Sequence, residues 1–110
     1  MVADLDDLEP PIRAMLDATN RGDDRAFLDA FADDAVLVDW GREFRGHEQI
    51  AGWNRNENIG VQSRIEPTSV ERSGEVVKVG VDVRGNGYNG GGAFTFRLTG
   101  DRIARMEISG

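Results

Sequence analysis

The chain has 110 residues, 13 basic and 20 acidic, with a formal charge of −7 and no cysteine. That length builds a single core and reads as one domain over 1–110, and the acidic balance repels phosphate backbones and anionic lipid, so neither nucleic acid nor membrane is an expected partner. Thiol chemistry is excluded, and a single histidine, His47, leaves no histidine-rich metal site, so no metal is expected.

The stretch Met1 to Asp7 is acidic where a secretory signal would be basic and then apolar, which makes the cytoplasm the default compartment. Pro10 and Pro11 suit the first turn of a helix, and Ile12, Met15, Leu16 and Thr19 then recur at helical spacing until Gly22. Asp23 or Asp24 is placed to cap a second, short helix bearing Phe27, Leu28 and Phe31, which Asp33 and Asp34 should break. The run 35–40 reads as a strand in which Ala35, Leu37 and Asp39 share one face. Gly46 opens a third helix with Ile50, Trp53, Asn54 and Glu57 at i, i+3, i+4 and i+7.

After Gly60 the pattern turns to period two, and four strands are expected at 61–72, 75–84, 92–99 and 102–109. The stretch from Gly85 to Gly90 satisfies G-x-G-x-x-G, but a strand follows it where a dinucleotide site needs a helix. Asn89-Gly90 instead signals a hairpin turn, and the extra glycines a bulge. Helices first and antiparallel strands afterwards imply an α+β fold, a cone-shaped barrel of three helices on a strongly curved, mostly antiparallel sheet, with a hollow at the wide end.

One carboxylate lies in line with a greasy strand face. Asp39 is either a poised proton carrier in an apolar hollow or a strand-end acid that reaches water. Trp53 beside Asn54 pairs a flat aromatic with an amide, Glu57 offers a second acid one turn on, and Tyr88 stands near the tip of the glycine-rich hairpin. No serine lies in a nucleophile elbow, and His47 at a helix start reads as a surface or capping residue.

The segments Asn20-Arg21-Gly22-Asp23, Phe31-Ala32-Asp33-Asp34-Ala35-Val36-Leu37-Val38-Asp39 and Phe44-Arg45-Gly46-His47-Glu48-Gln49-Ile50 resemble the nuclear transport factor 2-like (NTF2-like) superfamily. The branch they are most similar to holds the SnoaL-like polyketide cyclases and the ketosteroid isomerases. The resemblance implies a cystatin-like cone and a small-molecule-binding protein. It also implies cofactor-free proton transfer (isomerisation, cyclisation or dehydration) on an apolar carbonyl compound, with Asp39 as catalytic base. It further implies a ligand site built from Met15, Leu37, Trp53, Asn54, Tyr88, Phe94 and Phe96, and a homodimer through the sheet face carrying Lys78, Asp82, Arg84 and Arg97. The chain departs from the isomerase pattern because Met15 and Phe94 stand where that branch has its two oxyanion donors, and neither side chain can donate. A non-catalytic ligand-binding or dimerisation module of the same fold is the alternative.

Overall fold

The computed structural model describes residues 8–110; the acidic stretch from Met1 to Asp7 lies outside them. Helix α1 (Pro10–Arg21) begins on its two prolines and ends at Gly22, whose φ of 72° turns the chain so that the Asp23 amide donates back to the Ala18 carbonyl at 2.9 Å. Helix α2 (Asp24–Asp29) is capped by Asp23, whose Oδ1 accepts from the Ala26 amide at 3.0 Å. Strand β1 (Phe31–Asp39) follows, then β2 (Arg42–Arg45), α3 (Gly46–Glu57), a 3-10 turn at Ile59–Val61, and strands β3 (Arg64–Ser73), β4 (Val76–Arg84), β5 (Gly90–Thr99) and β6 (Arg102–Ser109). No helix among the described residues is long and apolar enough to cross a membrane.

The six strands form one mixed sheet in the order β2-β1-β6-β5-β4-β3, in which only β1 and β6 run parallel. Helix α3 packs on β1 and β2, and α1 on β3 and β6, so the helices cover one face. The core between them holds Ile12, Met15, Phe27, Phe31, Leu37, Val79, Phe96, Ile103 and Met106, all fully or almost fully buried. Burial of each large apolar side chain contributes about 1.5–3 kcal/mol. Phe27 joins α2 to the strands and to α3, with its ring centroid 5.1 Å from Phe31 and 6.3 Å from Trp53.

Four boundaries differ from the sequence pattern. The second helix stops at Asp29, and Phe31 to Asp34 extend β1 instead of ending a helix, because Phe31 pairs with Ile103 and the Ile103 amide donates to the Ala30 carbonyl. Strand β2 was not expected at all. Trp40 and Gly41 both take positive φ, 51° and 87°, which is the two-residue hairpin turn that matches strand twist, and Asp39 thereby faces Arg42 across the ladder. The 3-10 turn occupies the expected start of β3, and the strand begins where Asn20 grips both polar groups of Ile65 at 2.7 and 2.9 Å. No tight Asn89-Gly90 hairpin forms. The Asn89 side chain organises the whole 85–89 loop by bonding Gly85 and Gly87, and the register shifts fall at 31/36, 67/69 and 97/98 rather than in the glycine patch.

Candidate functional site

Two register rows decide where the sheet is filled and where it is open. In the inner row Leu37, Met106, Phe96 and Val77 lie side by side on four strands and are covered by helix side chains. One step towards the sheet end, the row Asp39, Ile108 and Phe94 follows, and there the chain leaves a cavity of about 340 Å³. Ile65, Val81 and Val83 complete its apolar floor, Ser63 and Asn58 stand beside them, and Gly91 and Gly92 of β5 bring bare backbone to the wall.

Asp39 is 9% exposed. Its Oδ2 accepts from the Trp53 indole Nε1 at 3.0 Å and from Arg42 Nη2 at 2.6 Å. Oδ1 has no hydrogen-bond partner among the described residues, and no buried side-chain polar atom among them lacks one, so Oδ1 is the atom through which Asp39 stays accessible. Arg42 goes on to Glu57, with Nη2 to Oε1 at 2.6 Å and Nη1 to Oε2 at 3.0 Å, the two-pronged geometry that a planar guanidinium makes with a carboxylate. Hydrogen bonds to Glu57, reinforced by the charges of Glu57 and Asp39, raise the Arg42 pKa further above the usual arginine range. The cavity thus carries a carboxylate, guanidinium, carboxylate chain along one side.

Of the residues singled out from the sequence, Asp39, Trp53, Tyr88 and Phe94 come together on the cavity wall. Met15, Leu37 and Phe96 do not. They lie in the filled inner row or beneath α1, where packing has taken all the space. Asn54 is also away from the cavity: its Nδ2 donates to Asp24 Oδ1 at 2.8 Å, and its Oδ1 accepts from Asn58 Nδ2 at 2.9 Å, so the amide ties α2 to the end of α3. One residue of helix rotation separates it from Trp53, which does face the cavity. His47 is half-buried and its Nε2 bonds the Phe31 carbonyl oxygen at 2.8 Å.

Arg42 escaped the reading of the sequence. A signal was present, since residues flanking a two-residue X-Gly turn are cross-strand partners, and Asp39-Trp40-Gly41-Arg42 sets opposite charges at those positions. Trp40 and Tyr88 are the large hydrophobic side chains exposed among the described residues, at 63% and 55%, and both line the cavity mouth.

The family model described as the SnoaL-like domain matches residues 12–106, and the chain belongs to that family, within the NTF2-like superfamily. Among solved structures, a provisionally named polyketide cyclase from Sinorhizobium meliloti is 28% identical, with a TM-score of 0.86 over 94% of this chain and 96% of that one. A hypothetical protein of ketosteroid isomerase-like fold from Catenulispora acidiphila, in complex with trimethylamine, is 22% identical, with a TM-score of 0.79 over 91% and 84% of the two chains. RV0760c of Mycobacterium tuberculosis, in complex with estradiol-17β-hemisuccinate, is 15% identical, with a TM-score of 0.78 over 89% and 88%. Among curated proteins no sequence matches the chain.

Proposed function

We propose that this SnoaL-like protein binds a small, largely apolar organic molecule in the cavity and that Asp39 transfers a proton to or from it, with no metal or organic cofactor. The observation that supports this best is the pairing of a nine-tenths buried carboxylate with an open oxygen: Trp53 and Arg42 hold Oδ2, and Oδ1 is left to meet a ligand. A base must reach the proton it removes at hydrogen-bond distance, and a carboxylate held at one oxygen presents the other in a fixed direction. Glu57, reached through Arg42, is the second carboxylate beside the same space. Reactions open to this set are isomerisation, ring closure or dehydration of a carbonyl compound. The complexes of the two distant relatives with a steroid ester and an amine support the cavity as a place for small organic molecules.

The alternative is a non-catalytic ligand-binding or dimerisation module. It is favoured by the direction of the nearest donors, because the Trp53 N–H and an Arg42 N–H are aimed at Asp39 itself and not at the space opposite, where an enolate oxygen would need them. We extend the proposal to a homodimer through the outer sheet face. On that face Arg97 and Arg105 are register partners, and the neighbouring row sets Lys78 by Thr95 and Glu107, so charges of both signs lie in adjacent rows that a two-fold axis would bring into register. Light scattering that finds only monomer at micromolar concentration would remove the dimer.

A thermal-shift screen of aromatic and polycyclic carbonyl compounds on the protein and on Asp39→Asn tests the main reading. A ligand at 100 times its Kd stabilises the folded state by about 2.7 kcal/mol. Binding kept by Asp39→Asn with turnover abolished supports catalysis. Equal behaviour of both proteins leaves the module, and no shift with any compound overturns the ligand site.

A further inference from the structure

We propose that the cavity selects a molecule with one positive charge on an apolar body, whose cationic nitrogen sits against Asp39 Oδ1 and Glu57. This rests on the cavity being a ligand site and names the chemical class that the site takes. Three charged side chains line the cavity, Asp39, Glu57 and Arg42, so its wall sums to −1. Arg42 cannot offset more than one of the two carboxylates. Its guanidinium lies at the mouth, 54% exposed, on the outermost strand, whereas the oxygen left open belongs to the buried Asp39. An anionic ligand would therefore meet a positive charge already shared between two carboxylates.

The rings point the same way. Trp40, Trp53, Tyr88 and Phe94 all line the cavity, and the two that are most exposed flank its opening. Aromatic faces attract cations and are indifferent or hostile to anions. The guanidinium of Arg42 already shows how such a seat is used: it lies between two carboxylates, with its central carbon 5.5 Å from the centroid of the Phe44 ring. The protein thus places its own planar cation at the mouth, and the ligand cation takes the equivalent environment one step deeper. The apolar body then packs on Ile65, Val81, Val83 and Ile108.

Three probes with one body and three charges test this on the full chain: 4-tert-butylbenzylamine, the corresponding benzyl alcohol, and 4-tert-butylbenzoate, titrated by tryptophan fluorescence and calorimetry at low and high salt. The ammonium is expected to bind at least about tenfold tighter than the alcohol, since a tenfold preference needs only 1.4 kcal/mol, with the benzoate weakest and the preference shrinking in salt. Arg42→Gln raises the ammonium preference by a further factor of about ten, because it removes the one opposing charge. Glu57→Gln lowers it by a similar factor. Glu71→Gln, an exposed acid of β3 outside the cavity, leaves it unchanged, which separates the local seat from the net charge of the chain. If the alcohol or the benzoate binds as tightly as the ammonium, the charge selection is wrong while the ligand site stands. If none of the three binds but carbonyl compounds do, this inference fails alone. If neither set binds, it falls together with the proposed function.

Discussion

The hydrogen bond from the Trp53 indole to Asp39 Oδ2 gives the sharpest test of how the site is held. It spans 3.0 Å between two buried side chains, and without it Oδ2 keeps only Arg42 while the Trp53 indole N–H, 6% exposed as a residue, loses its acceptor. A hydrogen bond to a charged group contributes about 1.5–3 kcal/mol, and the loss of a buried partner costs the survivor its full desolvation. Trp53→Phe keeps a ring against Phe27 and deletes only the N–H and part of the ring volume. Asp39→Leu deletes the acceptor and leaves the Arg42 to Glu57 pair in place. The two single variants and the double variant close a thermodynamic cycle that cancels the volume change. Urea unfolding followed by fluorescence should give a coupling energy of about 1.5–3 kcal/mol, and Trp53→Phe alone should lower Tm by roughly 6–12 °C at about 4 °C per kcal/mol for a chain of this size. A coupling below about 0.5 kcal/mol would mean that the indole merely packs beside the carboxylate, and the argument that Asp39 presents a fixed open oxygen would go with it.

Two further outcomes follow from geometry. Trp40 holds a left-handed backbone, φ 51°, that a bulky side chain adopts at a cost, and most of its surface is in solvent. Trp40→Asn should therefore raise Tm by about 4 °C, corresponding to about 1 kcal/mol of relieved strain, while weakening the ammonium probe; a lower Tm in calorimetry would show that the ring is structural. Glu9 is paired with Arg72 at 3.1 Å, and the Arg72 hydrogen bond lowers its pKa from the ordinary 4.5 despite partial burial. A carboxyl group with a depressed folded pKa stabilises the fold above its unfolded pKa and loses that contribution as pH falls through the folded one. Hence Glu9→Gln should be less stable than the parent above pH 4.5, with the difference closing below it, as thermal melts from pH 7 to pH 3 will show; a difference that grows on acidification would be the wrong sign.

The fold was largely legible because its elements carry strong periodicity. The Val77, Val79, Val81 series and the Phe94, Phe96 pair alternate cleanly, and Ile12, Met15, Leu16 and Thr19 mark one helix face. What stayed hidden was short or depended on partners distant in the chain. Strand β2 has four residues and no apolar alternation, and only the turn at Trp40 and Gly41 announces it. Phe31 fits a helix face locally, yet pairing with Ile103, far along the chain, draws it into β1. In the site, parity placed Asp39 and Leu37 on one face but could not say where filling stops. That boundary depends on how far the α1 and α3 side chains reach along the sheet, so Leu37, Phe96 and Met15 were drawn into a cavity that begins one row later. Asn54 differs from Trp53 by a single helical step, and its amide is consumed by Asp24 and Asn58, a demand that sequence spacing does not register.

The outermost strands also determine how the molecule behaves in company. At one margin stands β2, four residues long with arginine at both ends; at the other β3 carries Pro67, which has no amide hydrogen, beside a register break. Short, charged or proline-interrupted margins offer a neighbouring chain few unpaired backbone groups to zip onto. The sheet is therefore insulated against fibril-like growth along its hydrogen-bonding direction.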